Sequence, residues 1–235
     1  MTTITIVGDS FTQYYEGTYL EKICKSLNLE VLDHVGFPGG DQYKIYARFL
    51  TQLEKNPDIM FCCYTGFDRL YHPKFSIQRL FDPVTYKFLK VFTLKSKEEQ
   101  SPEFQTVMNA AQQYYEHLYD HCYMKTMQKL MVVDMQKKCK ERNIKMINLP
   151  AFDSSFFEKT HGLWCISEPK GLMNLSKLDD SSWQAHTSDK RKNHFTDSGH
   201  DILAKELIPH IERLINSGPE EFLGFTFLYP HHFKS

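Results

Sequence analysis

The sequence predicts an α/β fold, a three-layer α/β/α sandwich around a central, mostly parallel sheet, and three observations carry that reading. Strand-like and helix-like segments alternate along the first 64 residues in the order β-α-β-α-β, the arrangement that builds a parallel sheet with helices on both faces. The run Ile59-Met60-Phe61-Cys62-Cys63-Tyr64 is apolar throughout, as a strand buried on both sides must be. The turns after the first two strand-like runs are rich in Gly, Asp, Ser and Pro, which suit the carboxyl edge of such a sheet.

The elements follow in order. Thr3 to Val7 is β-prone and runs directly into Gly8-Asp9-Ser10. Tyr19, Leu20, Ile23, Cys24 and Leu27 recur at helical spacing and predict a helix of about three turns. Leu29 to Val35 reads as a second strand, ending in Gly36-Phe37-Pro38-Gly39-Gly40-Asp41. Ile45, Phe49, Leu50 and Leu53 mark a helix from Gln42 to Lys55, which Asn56-Pro57-Asp58 punctuates before the third strand. Residues 65–100 lose periodicity and read as an insertion of short helices and loops. Ser101-Pro102-Glu103 is a helix start, and helical character then continues to about Arg142 with a break near His121. Ile144 to Pro150 resembles another strand. Residues 151–193 read as a long loop over the sheet edge. Thr196 caps a last helix, in which Pro209 is expected to kink or shorten the chain. The aromatic residues after 219 are expected to pack on the domain or on a neighbouring subunit.

The whole chain, 1–235, reads as one domain, with a helical insertion at about 70–142 and an aromatic extension at about 219–235. A net charge of −1 provides no basic field for nucleic acid and no polybasic membrane patch. The amino terminus enters a strand at once, with no leader pattern, and no apolar stretch approaches the roughly 20 residues of a membrane helix, so a cytoplasmic protein is expected. The six cysteines lack zinc-site spacing, and Cys62 and Cys63 read as reduced core residues. No metal or other cofactor is expected.

Ser10, delivered to a sheet edge by the first strand, is a candidate nucleophile; the same tripeptide also suits an ordinary turn or helix N-cap. A serine hydroxyl needs a general base, usually an oriented histidine. Among 11 histidines, His194 in Asn193-His194-Phe195-Thr196-Asp197-Ser198-Gly199-His200 precedes an amphipathic run and is the best candidate. His200, inside that run, reads as a surface or packing residue.

These blocks resemble those of the SGNH (GDSL-type) hydrolase superfamily, in which an early Gly-Asp-Ser supplies the nucleophile and a late block supplies the histidine, with a glycine five positions on. His194 and Gly199 keep that spacing. The resemblance implies an oxyanion site made of the backbone N–H groups of Ser10 and Gly39, since Gly36-Phe37-Pro38-Gly39 is similar to the second block of the family. The third block departs from the pattern: Thr65-Gly66-Phe67-Asp68 places phenylalanine where the family has an asparagine donor, with Arg69, Asn148 or Thr65 as possible substitutes. The family's aspartate three residues before the histidine is here Arg191, and Asp189 is the nearest carboxylate, an orienting acid or a solvated charge. Asp9, Thr65, Asp68 and Arg69 are further candidates for substrate or oxyanion contacts.

What the resemblance implies is a serine esterase acting on a small acyl ester, with an O-acetyl group on a carbohydrate as the first substrate class. An O-acyltransferase would use the same residues. A binding or assembly module with weak or no turnover is the reading from another class, favoured by the irregular third block and by the aromatic carboxyl-terminal segment, through which a homo-oligomer or protein partner would form.

Overall fold

A computed structural model describes residues 1–74, 77–81, 88–92, 101–167, 171, 172, 175, 195–218 and 222–229. Its centre is a six-stranded sheet built from β1 (Thr3–Asp9), β2 (Glu30–Phe37), β3 (Ile59–Tyr64), β6 (Lys145–Pro150), β7 (Gly162–Ile166) and β8 (Leu223–Phe227). The strand order is β2-β1-β3-β6-β7-β8, and every neighbouring pair is parallel. A parallel sheet puts all carboxyl ends on one rim. The chain leaves β1 to one side to form β2 and returns across it to form β3, so the direction of winding reverses beside β1, where open α/β sheets hold their ligands.

The period of two along the strands sorts the core into two halves. Ile4, Ile6, Phe61 and Cys63 face α1 (Tyr19–Ser26) and α5 (Asp197–Asn216), where Leu20, Ile23, Leu203 and Leu207 cover them. Val7, Met60, Cys62 and Tyr64 face the other way, toward Phe49 and Leu53 of α2 (Gln42–Leu53) and Val132, Met135 and Cys139 of α4 (His121–Glu141). Burial drives the thiols of Cys62 and Cys63 well above their ordinary range, which keeps them protonated and inert.

Inside the sheet, Asn148 on β6 accepts from the Tyr64 hydroxyl at 2.5 Å and donates to the carbonyls of His161 and Leu163 at 3.1 and 3.4 Å. One buried amide thus ties β6 to β3 and β7, and leaving any of those partners unmatched would cost on the order of 1–3 kcal/mol.

Several expectations are corrected. Within residues 65–100 the described part holds an antiparallel hairpin, β4 (Gln78–Phe81) with β5 (Phe88–Phe92), in place of short helices. A strand of four or five residues is too short to show a clear alternation. The break expected near His121 is present: the helical stretch after Ser101 divides at Leu118–Asp120 into α3 (Pro102–His117) and α4, where Asp120 accepts from the Tyr123 N–H at 2.6 Å as the N-cap. Residues 162–166 form β7, a fully buried strand within the expected long loop. Pro209 sits inside α5 without shortening it, and the helix runs 20 residues. Residues 223–227 of the aromatic extension pack on the domain, the first of the two expected outcomes, and do so as a strand at the edge of the sheet.

Candidate active site

The rim is assembled from the turns after β1, β2, β3 and β6. Ser10 begins a 3₁₀ turn, Ser10–Thr12, that Asp9 caps: the Asp9 carboxylate accepts the Phe11 N–H at 2.9 Å, and the Thr12 hydroxyl donates to the Asp9 carbonyl at 2.7 Å. β1 can reach this point only because residue 8 is glycine. A Cβ there would lie 2.7 Å from the Cβ of Cys63 and from the Thr12 methyl, far inside contact distance.

The turn after β2 has proline at 38 and glycine at 39, with Gly39 at φ 68° and the Gly40 N–H donating to the Phe37 carbonyl at 2.9 Å. That is the pattern of a type II turn, which needs positive φ at its third residue. Asp41 then caps α2 by accepting the Lys44 N–H at 3.0 Å, and burial raises the pKa of its carboxyl.

Arg69, after β3, joins these turns. Its guanidinium donates to the Gly40 carbonyl at 2.9 Å, lies 3.8 Å from the Asp9 carboxylate, and sits over the ring of Phe152 from the turn after β6. Asp9 is fully buried and Arg69 nearly so. Asp9 therefore faces inward, balanced by a cation, and the thiol of Cys63 also reaches its carboxylate, at 3.6 Å. Thr65 is buried too; its carbonyl accepts from Gln128 of α4 at 2.6 Å, and Gln128 also donates to Gln42 at 3.1 Å. Asp68 accepts the Tyr115 hydroxyl on its carbonyl at 2.7 Å. Phe67 packs its ring against His121 and Phe156, and Asn148 is engaged within the sheet as described.

Ser10 lines a small cleft with Phe11, Gln13, Tyr15, Thr18, Phe195 and His200. Phe195 is buried, and its ring meets Phe11 edge to face at 5.8 Å and Tyr19 at 6.3 Å. His200 stacks on Tyr19 at 5.8 Å, and its Nδ1 accepts the Tyr19 N–H at 3.3 Å. That contact commits Nδ1 to an acceptor role. Of the candidates read from sequence, Ser10, Gly39, Asp9, Thr65, Asp68 and Arg69 come to this rim; His194 and Asp189 lie outside the described residues.

Sequence reasoning missed Gln128 and Phe195. Gln128 falls four and seven residues before Val132 and Met135, so it stands on the buried stripe of α4, and a glutamine on such a stripe signals a polar partner inside. Phe195 was hidden in the histidine block as a filler.

Among the described residues, no group of three or more His, Cys, Asp or Glu side chains is arranged to hold a metal ion, and no helix is long and apolar enough to cross a membrane. No family model matches the chain, and no curated protein sequence matches it. Solved structures do. The chain is similar to the acetyl xylan esterase AlAXEase at 15% identity, covering 99% of this chain and 79% of that one with a TM-score of 0.40. It is similar to a protein of Desulfitobacterium hafniense DCB-2 assigned to the G-D-S-L lipolytic family, at 12% identity, 91% and 99% coverage and a TM-score of 0.43. It is also similar to the psychrotrophic esterase EstA from Pseudoalteromonas sp., at 9% identity, 92% and 100% coverage and a TM-score of 0.49.

Proposed function

We propose that the chain is a serine ester hydrolase acting on a small acyl ester, with an O-acetylated carbohydrate as substrate. The observation that carries this reading is the contact between Phe11 and Phe195 beside Ser10. It brings the chain next to His194 to the turn that holds the candidate nucleophile, although the two segments are 184 positions apart in sequence (195 − 11).

In this reading the Ser10 Oγ attacks the ester carbonyl carbon while His194 takes the hydroxyl proton. The backbone N–H groups of Ser10 and Gly39 hold the negative charge that develops on the carbonyl oxygen. Collapse of the tetrahedral intermediate breaks the bond to the sugar oxygen, which receives the proton from His194. Water then attacks the acyl-serine by the same path, releasing the acid and restoring the serine. Asp189 steadies the imidazole, and Arg69 acts as a positioning residue that holds the turns carrying Ser10 and Gly39 in register. A sugar hydroxyl replacing water in the second half would make the same site a transferase.

Fluorophosphonate labelling and hydrolysis of an activated acetate ester, run on wild type and Ser10→Ala, test the reading. Both signals are expected in wild type and neither in the variant. A folded wild type with neither signal would mean that the chain is a binding module.

A further inference from the structure

A second cleft, of about 330 Å³, opens between Phe37 at the end of β2, the first turns of α2 and the segment after Arg69. Its walls are Phe37, Tyr43, Lys44, Arg48 and Tyr71. Lys44 lies over the ring of Tyr71 at 5.7 Å, Arg48 over the ring of Phe37 at 5.7 Å, and Tyr43 meets Tyr71 edge to face at 4.9 Å. Tyr43 and Tyr71 keep about half their surface exposed, at 51% and 46%.

Among the described residues that line this cleft, the charged side chains are both cationic. Lys44 and Arg48 are one helical turn apart, and like charges at that spacing repel. Neither enters an ion pair among the described residues. Of the described carboxyl groups in this region, Asp41 is buried as the cap of α2, where it feels the Lys44 charge without pairing with it, and Glu103 pairs with Lys74. The cleft also lies at the first two turns of α2, where the helix dipole adds positive potential. An anion placed there would relieve the repulsion, and the half-exposed tyrosine rings offer flat faces for the C–H side of a sugar.

The cleft is close to the reaction centre. Phe37 is the register partner of Asp9 across the β1–β2 ladder, so the inner wall stands one strand away from the residue that precedes Ser10. We propose that this cleft binds a sugar unit carrying a carboxylate, next to the unit that bears the ester, which makes acidic carbohydrates the substrate class. The assignment builds on the esterase reading for its purpose, but the binding it predicts does not depend on turnover.

The test is therefore made by calorimetry on the Ser10→Ala chain, with digalacturonate as the probe and galactobiose as its neutral counterpart. Digalacturonate is expected to bind at least about tenfold more tightly than galactobiose, as two partly exposed cations can supply. That preference is expected to disappear in Lys44→Gln/Arg48→Gln, and to shrink between 50 mM and 500 mM salt as screening predicts. The single variant Arg48→Gln, on the exposed helix surface, gives an intermediate preference. Equal binding of the two sugars, no binding of either, or an unchanged preference in the double variant overturns the proposal. Loss of fluorophosphonate labelling in wild type would count against the esterase reading alone.

Discussion

The rings of Phe11 and Phe195 meet edge to face with centroids 5.8 Å apart, so the residue after Ser10 and the residue after His194 share one buried contact. His200, five residues further on, lines the same cleft but with Nδ1 turned to the Tyr19 N–H. His194→Ala is therefore expected to lower kcat/KM for an acetate ester by about a thousandfold. His200→Ala is expected to retain activity within about tenfold while lowering the melting temperature. The reverse pattern would make His200 the base.

Arg69 is expected to matter through Asp9. Removing the cation takes the guanidinium away from a fully buried carboxylate, and Arg69→Gln should cost on the order of 2–4 kcal/mol in a urea titration. Asp9→Asn in the same chain removes the stranded charge, so the double variant should lose less than the sum of the singles. Additive losses would show that the two groups do not interact.

Gly8→Ala tests the close approach of β1 to β3. The added methyl meets Cys63 and Thr12 at 2.7 Å, and the strand must shift to admit it, at a cost of about 1–3 kcal/mol. Because Ser10 is only two residues on, esterase activity should fall with stability; an unchanged melting temperature would refute the packing argument.

His161 sets a pH dependence. It is buried, with Nε2 3.0 Å from the Ile144 carbonyl, and burial lowers its pKa below the ordinary 6.5. The folded protein thus resists a proton that the unfolded chain accepts. The stabilisation is fully present above about pH 6.5 and is lost as pH falls through the lowered value. In His161→Gln the slope of melting temperature against pH just below 6.5 should be shallower than in wild type.

Much of this fold was legible because burial on two faces leaves a plain mark. Ile59–Tyr64 is continuous apolar sequence, and Gln42–Leu53 repeats at helical spacing, so both elements were read nearly to their ends. β7 was not, although Leu163-Trp164-Cys165-Ile166 is equally apolar, because the flanking Gly, Ser and Asp residues made the whole region look like loop. β8 was hidden differently. As an edge strand it leaves Leu223, Phe225 and Phe227 largely exposed, so its pattern is that of an aromatic tail and not of a half-buried strand. At the rim, Gly-Asp-Ser announced a turn at a strand end, whereas the partnership of Arg69 with Asp9 and Gly40 joins residues from three separate turns. No local pattern records such a meeting.

The order β2-β1-β3-β6-β7-β8 also bears on how the molecule is made. Each strand pairs with a neighbour already synthesised, but only through a long crossover, a topology that folds slowly. Until residues 223–227 emerge from the ribosome, β7 with its indole at Trp164 is the open flank of a growing sheet, the kind of flank that recruits foreign strands. A chain stopped short of Leu223 should consequently be lost to aggregates during expression, whatever the state of the machinery at the opposite side of the sheet.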